Sequence, residues 1–144
     1  MHQWGEPVKG CALSLSAPGK LAAGEAVVVT VTFRNGSQGV VRFPLYSKWL
    51  EYEYRVIFCE GREAKLTLFG EQGKRSLQGG GASALEEIPA GGQRVSKVEL
   101  NRLYDMSLAG EYTIQAYKSV PDKAGTAALK LTSNVVKVEI TDSK

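Results

Sequence analysis

Histidine is almost missing from this chain of 144 residues: His2 is the only one. That excludes, within the chain, a Ser-His-Asp triad, a Cys-His nucleophile pair and a histidine-built zinc or copper site. A blue-copper site, which needs two histidines with a cysteine, is excluded too. His2 itself reads as a frayed terminal residue rather than a ligand. Cysteine is scarce: Cys11 and Cys59 have no CxxC spacing. They allow one disulfide, but two separate buried thiols are the favoured reading, because a free cysteine packs as a small hydrophobe. No apolar run approaches the ~18 residues of a membrane span. The opening residues Met1 to Pro7 hold no signal-peptide core. No helical period longer than a turn, internal repeat, low-complexity tract or linker is found. Charge of one sign is lacking as well: 18 basic and 15 acidic residues are interleaved, for a net +3. No basic stripe of the kind a nucleic acid needs is present, so no nucleic-acid partner is expected. Nothing in the residues calls for a cofactor.

What is present is alternation. The length fits one domain, residues 1–144, able to bury a core without disulfide staples. Cys11 to Ser16 alternates and reads as an edge strand. Ala17-Pro18-Gly19-Lys20 is turn chemistry. Ala26 to Arg34 is the clearest strand, with Val27, Val29, Val31 and Phe33 inward and Thr30, Thr32 and Arg34 in water. Val40 to Tyr46 follows, held to an edge or a bulge by Pro44, which lacks a ladder donor. Glu51 to Glu60 places Tyr52, Tyr54, Val56 and Phe58 on one face. After a tight turn, Ala64 to Leu68 returns beside it. Residues 69–83, with Gly79-Gly80-Gly81, are expected to be an exposed mobile loop. Leu85 to Ile88 is short and extended. Arg94 to Leu100 is a strand, and Asn101 is a plausible cap for one helical turn. Two final strands, Leu108 to Tyr117 and Leu131 to Ile140, are joined through Pro121 to Gly125. The pattern is all-β: an antiparallel sandwich of seven to nine short strands.

Most chemical motifs reduce to structure. Glu51 and Glu53 share a strand face, and Glu86 and Glu87 are adjacent. Paired carboxylates at suitable spacing could cleave a glycoside, but a solvated strand face offers the same spacing and is favoured. Residues 70–76 lack the spacing and strand-to-helix context of a phosphate loop. Asn35-Gly36-Ser37 is formally a glycosylation sequon, yet an Asn-Gly turn accounts for it. Of the aromatics Phe43, Tyr46, Trp49, Tyr52 and Tyr54, most belong in the core. Trp49, with Tyr46, is the candidate for stacking on a sugar or anchoring a protein; the competing reading is a plug closing one end of the sandwich. Tyr112, two residues after Gly110, suggests a tyrosine corner whose hydroxyl bonds the backbone upstream.

Taken together, Gly24-Glu25 with the alternation from Val27 to Phe33 and Arg34-Asn35-Gly36 resembles a bacterial immunoglobulin-like domain. So do Ala109-Gly110-Glu111-Tyr112, with Ile114 and Ala116, and the run Ser133 to Val138. Trp4 to Gly10 is similar to the start of modules from bacterial secreted or membrane-anchored proteins, and the same markers occur in BsuPI-type proteinase-inhibitor-like domains. The resemblance implies an immunoglobulin-like sandwich with no catalytic residue to carry over. Ile114 stands where antibody-type domains have a cysteine, so no inter-sheet disulfide is implied. With no signal-peptide core at its start, the chain is either cytoplasmic or cut from a longer exported bacterial protein; the second, extracytoplasmic reading is favoured. The function expected is a non-enzymatic interaction or spacer module. Its partners would be proteins or neighbouring domains. A carbohydrate-binding module and a proteinase inhibitor presenting residues 69–83 are the alternatives.

Overall fold

The computed structural model describes residues 3–45, 51–78, 84–121 and 128–142. They form an all-β, sandwich-like fold of mostly antiparallel strands. In chain order the strands are β1 (Cys11–Ser16), β2 (Lys20–Ala22), β3 (Val28–Asn35), β4 (Val41–Leu45), β5 (Glu53–Phe58) and β6 (Arg62–Glu63). A helix, α1 (Leu68–Gln78), comes next. Then follow β7 (Ala84–Ile88), β8 (Gln93–Glu99), β9 (Gly110–Pro121), β10 (Ala128–Thr132) and β11 (Val136–Thr141).

One sheet has the order β1-β3-β8, and a second has the order β2-β11-β9-β5-β6 with β10 also on β9. A short third sheet pairs β4 with β7. The alternation in β3 does what its period requires: Val29, Val31 and Phe33 are fully buried, as is Val27 just before the strand. They share one cluster with Leu13 and Leu15 of β1, Tyr112, Ile114 and Ala116 of β9, and Val138 and Ile140 of β11. Burial of this inner layer is the main stabilising term.

Several expectations are corrected. Residues 69–83 are not a loop throughout, because α1 occupies 68–78. Thr67 starts that helix: its hydroxyl accepts the Gly70 N–H at 3.0 Å, and its carbonyl accepts the Glu71 N–H at 2.9 Å. Gly70 lets the helix lie close on Leu103, where a β-carbon would sit 2.2 Å from the carbonyl oxygen. The glycine content that suggested a loop is in part a packing surface. The last run is two strands, not one. Residues 133–135 break it, so β10 pairs with one half of β9 and β11 with the other. Asn101 caps no helix. The turn is a 3-10 turn over Leu100–Arg102, and the Asn101 amide reaches β3 instead, accepting the Val27 N–H at 2.9 Å. Thr32, expected in water, is buried between its lateral neighbours Ser14 and Val95 on the central strand. The return after Glu60-Gly61 pairs with β5 over Arg62–Glu63, with one more bond from the Ala64 N–H to the Val56 carbonyl at 2.9 Å. Eleven strands are described, against an expected seven to nine.

Both cysteines are unpaired thiols, and only Cys11 is fully buried. Burial pushes the Cys11 thiol above its ordinary value.

The two large sheets are stitched at the break in the final run. Asn134 accepts the Leu15 N–H at 2.8 Å and donates to the Leu15 carbonyl at 2.9 Å, so one side chain substitutes for a strand on the edge of β1. Replacing Asn134 by Ala should cost about 1–3 kcal/mol, read from urea unfolding. A loss below about 0.5 kcal/mol would show that water replaces the tie at no cost.

Candidate functional site

The side chains that bring charge into the interior meet where β4, β7, β8 and β9 come together. In β9, the inward positions Tyr112, Ile114, Ala116, Lys118 and Val120 are all buried. Lys118 therefore occupies a core position by strand phase and is only 5% exposed. An ammonium there must be solvated by protein oxygen. Its Nζ donates to the Pro44 carbonyl at 2.8 Å and also to the Glu51 carbonyl. It stands 4.5 Å from the centre of the Phe43 ring and 5.6 Å from that of Tyr52, within cation–π range. Burial pulls the Lys118 ammonium down to about 8 against the opposing pull of Glu51; Arg94 adds to the lowering and Glu53 opposes it.

Arg94 organises the acidic side of the same region. Its guanidinium donates through Nη2 to Glu51 Oε1 and through Nη1 to Glu86 Oε2. Ser96 donates its hydroxyl to the other Glu51 oxygen at 2.7 Å. Arg94 also lies 5.5 Å from the Phe43 ring centre. Two buried polar atoms have no hydrogen-bond partner among the described residues: Arg94 Nε and the Tyr52 hydroxyl. Burial holds the Tyr52 phenol well above its ordinary value, and the Glu51 charge adds to the effect.

The expected carboxylate pairs are rearranged by this geometry. Glu51 precedes β5 and turns in to Arg94, while Glu53 opens the strand and is exposed, so the two share no solvated face. Glu86 reaches Arg94, and its neighbour Glu87 is exposed. Glycosidic chemistry asks for one carboxyl that gives a proton and another that attacks or takes one. Here both Glu51 and Glu86 are ion-paired to the same guanidinium, and Glu51 is further occupied by Ser96. Among the described residues, no three of His, Cys, Asp and Glu gather in a group that could hold a metal ion.

Phe43 and Tyr52 are buried and meet edge to face with ring centres 5.8 Å apart, while Tyr54 is half-buried. Trp49 and Tyr46 lie outside the described residues. At the far end of β9, the Tyr112 hydroxyl donates to the Leu108 carbonyl at 2.8 Å, and its ring lies 4.7 Å from Phe58. Gly110 has φ +145, and a β-carbon there would come within 2.8 Å of the Phe58 ring and 2.9 Å of Cys59 Sγ. Only glycine fits that backbone and that space.

Sequence reasoning singled out the glutamates but missed Arg94, Ser96 and Lys118. The signal for Lys118 was there: it continues the apolar phase of Tyr112, Ile114 and Ala116 once the strand is carried past Tyr117.

Neither a protein-family model nor a curated protein sequence matches the chain. Among solved structures, a β-glucosidase from Listeria innocua, in complex with glucose, is similar with a TM-score of 0.45 and 17% identity. The match covers 91% of this chain and 16% of that one, so this chain spans a small part of that enzyme's length. At that TM-score the likeness carries no argument.

Removing Arg94 alone should leave the largely buried Glu51 carboxylate without its ion-pair partner, supported only by the Ser96 hydroxyl and the field of Lys118. Arg94→Met is expected to cost about 3–5 kcal/mol, with Glu51→Gln added in the same chain restoring part of the loss. Urea unfolding of the single and double variants measures it, and strictly additive losses would refute the coupling. Lys118 makes a separate prediction. Its folded value of about 8 lies below the ordinary 10.5, so between these the unfolded chain binds more protons. Stability contributed at this position should therefore rise with pH across that window. The stability of the native chain minus that of Lys118→Met should increase from pH 8 to 10.5. A flat difference would contradict the assignment.

Proposed function

We propose that the chain is an immunoglobulin-like sandwich domain serving as a non-enzymatic interaction or spacer module of an exported bacterial protein. The topology supports the immunoglobulin-like part. The chain leaves the β1-β3-β8 sheet after β1 and joins the opposite sheet at β2, where it runs parallel to β11. The hydrogen bond from Tyr112 back to Leu108 fits a tyrosine corner. The bacterial and extracytoplasmic parts rest on the sequence resemblance, and the partners that suit such a module are neighbouring domains or another protein.

One observation carries the non-enzymatic reading. The described charges that enter the interior are spent on fastening the chain: Lys118 on two carbonyls, and Arg94 on two carboxylates. A catalytic acid or base has to be open to substrate and matched to its proton; Glu51 and Glu86 are instead held as the counter-ions of Arg94.

The test is a panel of chromogenic glycosides and esters, assayed with the native domain and with Glu51→Gln. No turnover is expected from either chain, and Glu51→Gln should register only as reduced thermal stability. Turnover by the native domain that Glu51→Gln abolishes would overturn the reading.

A further inference from the structure

The sequence Asn35-Gly36 ends β3 at a site with two opposed properties. Chemically, an asparagine followed by glycine is the arrangement most open to succinimide formation, because no side chain shields the glycine nitrogen. Structurally, Asn35 is 0% exposed and its side chain is fully engaged. Nδ2 donates to the carbonyls of Gly39 and Ile88, both at 2.8 Å. Oδ1 accepts from the Ser37 amide at 3.0 Å, the Ser37 hydroxyl at 2.6 Å and the Cys11 thiol at 3.8 Å. The Asn35 backbone is held too: its N–H donates to Gly92 O at 2.9 Å, and its carbonyl accepts from Gly91 N–H at 2.7 Å. The reacting nitrogen is itself occupied, since the Gly36 N–H donates to the Gly10 carbonyl at 2.9 Å.

We propose that Asn35 is a fold-gated modification site: inert to deamidation in the native domain, reactive once the chain opens, and unable to rebuild its hub after reacting. In the open chain the Gly36 nitrogen, having lost its proton, attacks Asn35 Cγ. A new C–N bond forms, and the side-chain nitrogen leaves as ammonia. Water then opens the five-membered imide at either carbonyl, giving aspartate or its isomer with the backbone routed through Cγ.

Neither product fits the native position. Aspartate would turn oxygen, in place of the two N–H donors, toward the Gly39 and Ile88 carbonyls, and would bury a charge with no cation among those contacts. The isomer lengthens the backbone by one methylene where Asn35 and Gly36 are pinned on both sides. The same burial closes Asn35 to glycosylation in the folded domain, although Asn35-Gly36-Ser37 is formally a sequon. The domain would then carry a record of each long opening, written as a covalent change that bars return.

Purified domain is held at mildly alkaline pH, once native and once in guanidinium chloride, and conversion at Asn35 is followed by peptide mass mapping. Conversion in the native sample should be at least about 100-fold slower, equivalent to about 2.8 kcal/mol of opening free energy. On dilution from denaturant, the fraction that refolds should fall in step with Asn35 conversion. In denaturant, where folding plays no part, Gly36→Ala should slow the conversion; in the folded domain its β-carbon would sit 2.5 Å from the Gly10 carbonyl oxygen, so refolding is read on the native sequence alone. Equal rates in native and denatured samples would overturn the gating. Full refolding of chains converted at Asn35 would overturn the bar to return.

Discussion

A positive charge placed inside a β-sandwich sets conditions on everything around it. Lys118 sits at a core position of β9, and its ammonium is tolerable there only because oxygen and aromatic faces replace water. The oxygens come from the backbone at Pro44 and Glu51, two points that lie on either side of residues 46–50 in the sequence. The ring faces come from Phe43 and Tyr52, on either side of the same residues. One buried charge thus fixes where β4 ends and where β5 is approached. It also makes the nearby anionic group Glu51 useful, and Glu51 in turn brings in Arg94, Ser96 and, through Arg94, Glu86. Breaking the set in one place exposes the others to an unpaired burial, so the group behaves as a unit.

The chain's three asparagines add a second, neutral kind of fastening. Each places a carboxamide where a strand would otherwise supply the partner. Asn35 joins the end of β3 to the loop before β4 and to the last residue of β7; Asn101 joins the 3-10 turn after β8 to the residues leading into β3; Asn134 joins the β10–β11 turn to β1. A carboxamide has one donor side and one acceptor side, like a peptide group, and can satisfy backbone at a sheet boundary without extending the sheet. In this way the three carboxamides satisfy backbone groups where loops meet the edge of the buried core.

The strands were legible because a period of two is written directly into runs such as Val27 to Phe33. The core face of β3 followed from that period alone. The tie from Tyr112 to the backbone before β9 could be anticipated because its cue is local, a tyrosine two residues after a glycine. Other parts depend on contacts distant in sequence. The helix over 68–78 is poor in apolar residues and contains two glycines, and it forms where Gly70 can rest on Leu103. The split between β10 and β11 depends on Ser133 and Asn134 finding partners on β9 and β1, which no local pattern announces. The ionic cluster was half visible: the glutamates were noticed as chemistry, but the cation that neutralises them lies on another strand. Alternation identifies faces, whereas pairing across sheets has to be seen in three dimensions.

The parallel pairing of β2 with β11 bears on the order in which the domain can come together. β2 finds its partner only in the last strand described, and Leu15 waits for Asn134, 119 residues further on. During synthesis the first strands emerge without the surface they need, and β1 can do no more than pair with β3. The second sheet cannot close on its N-terminal side until β11 has left the ribosome. Such long-range closure slows folding and keeps an unfinished edge open to other chains meanwhile. Closure of the domain therefore waits on β11, the strand that supplies the partner of β2.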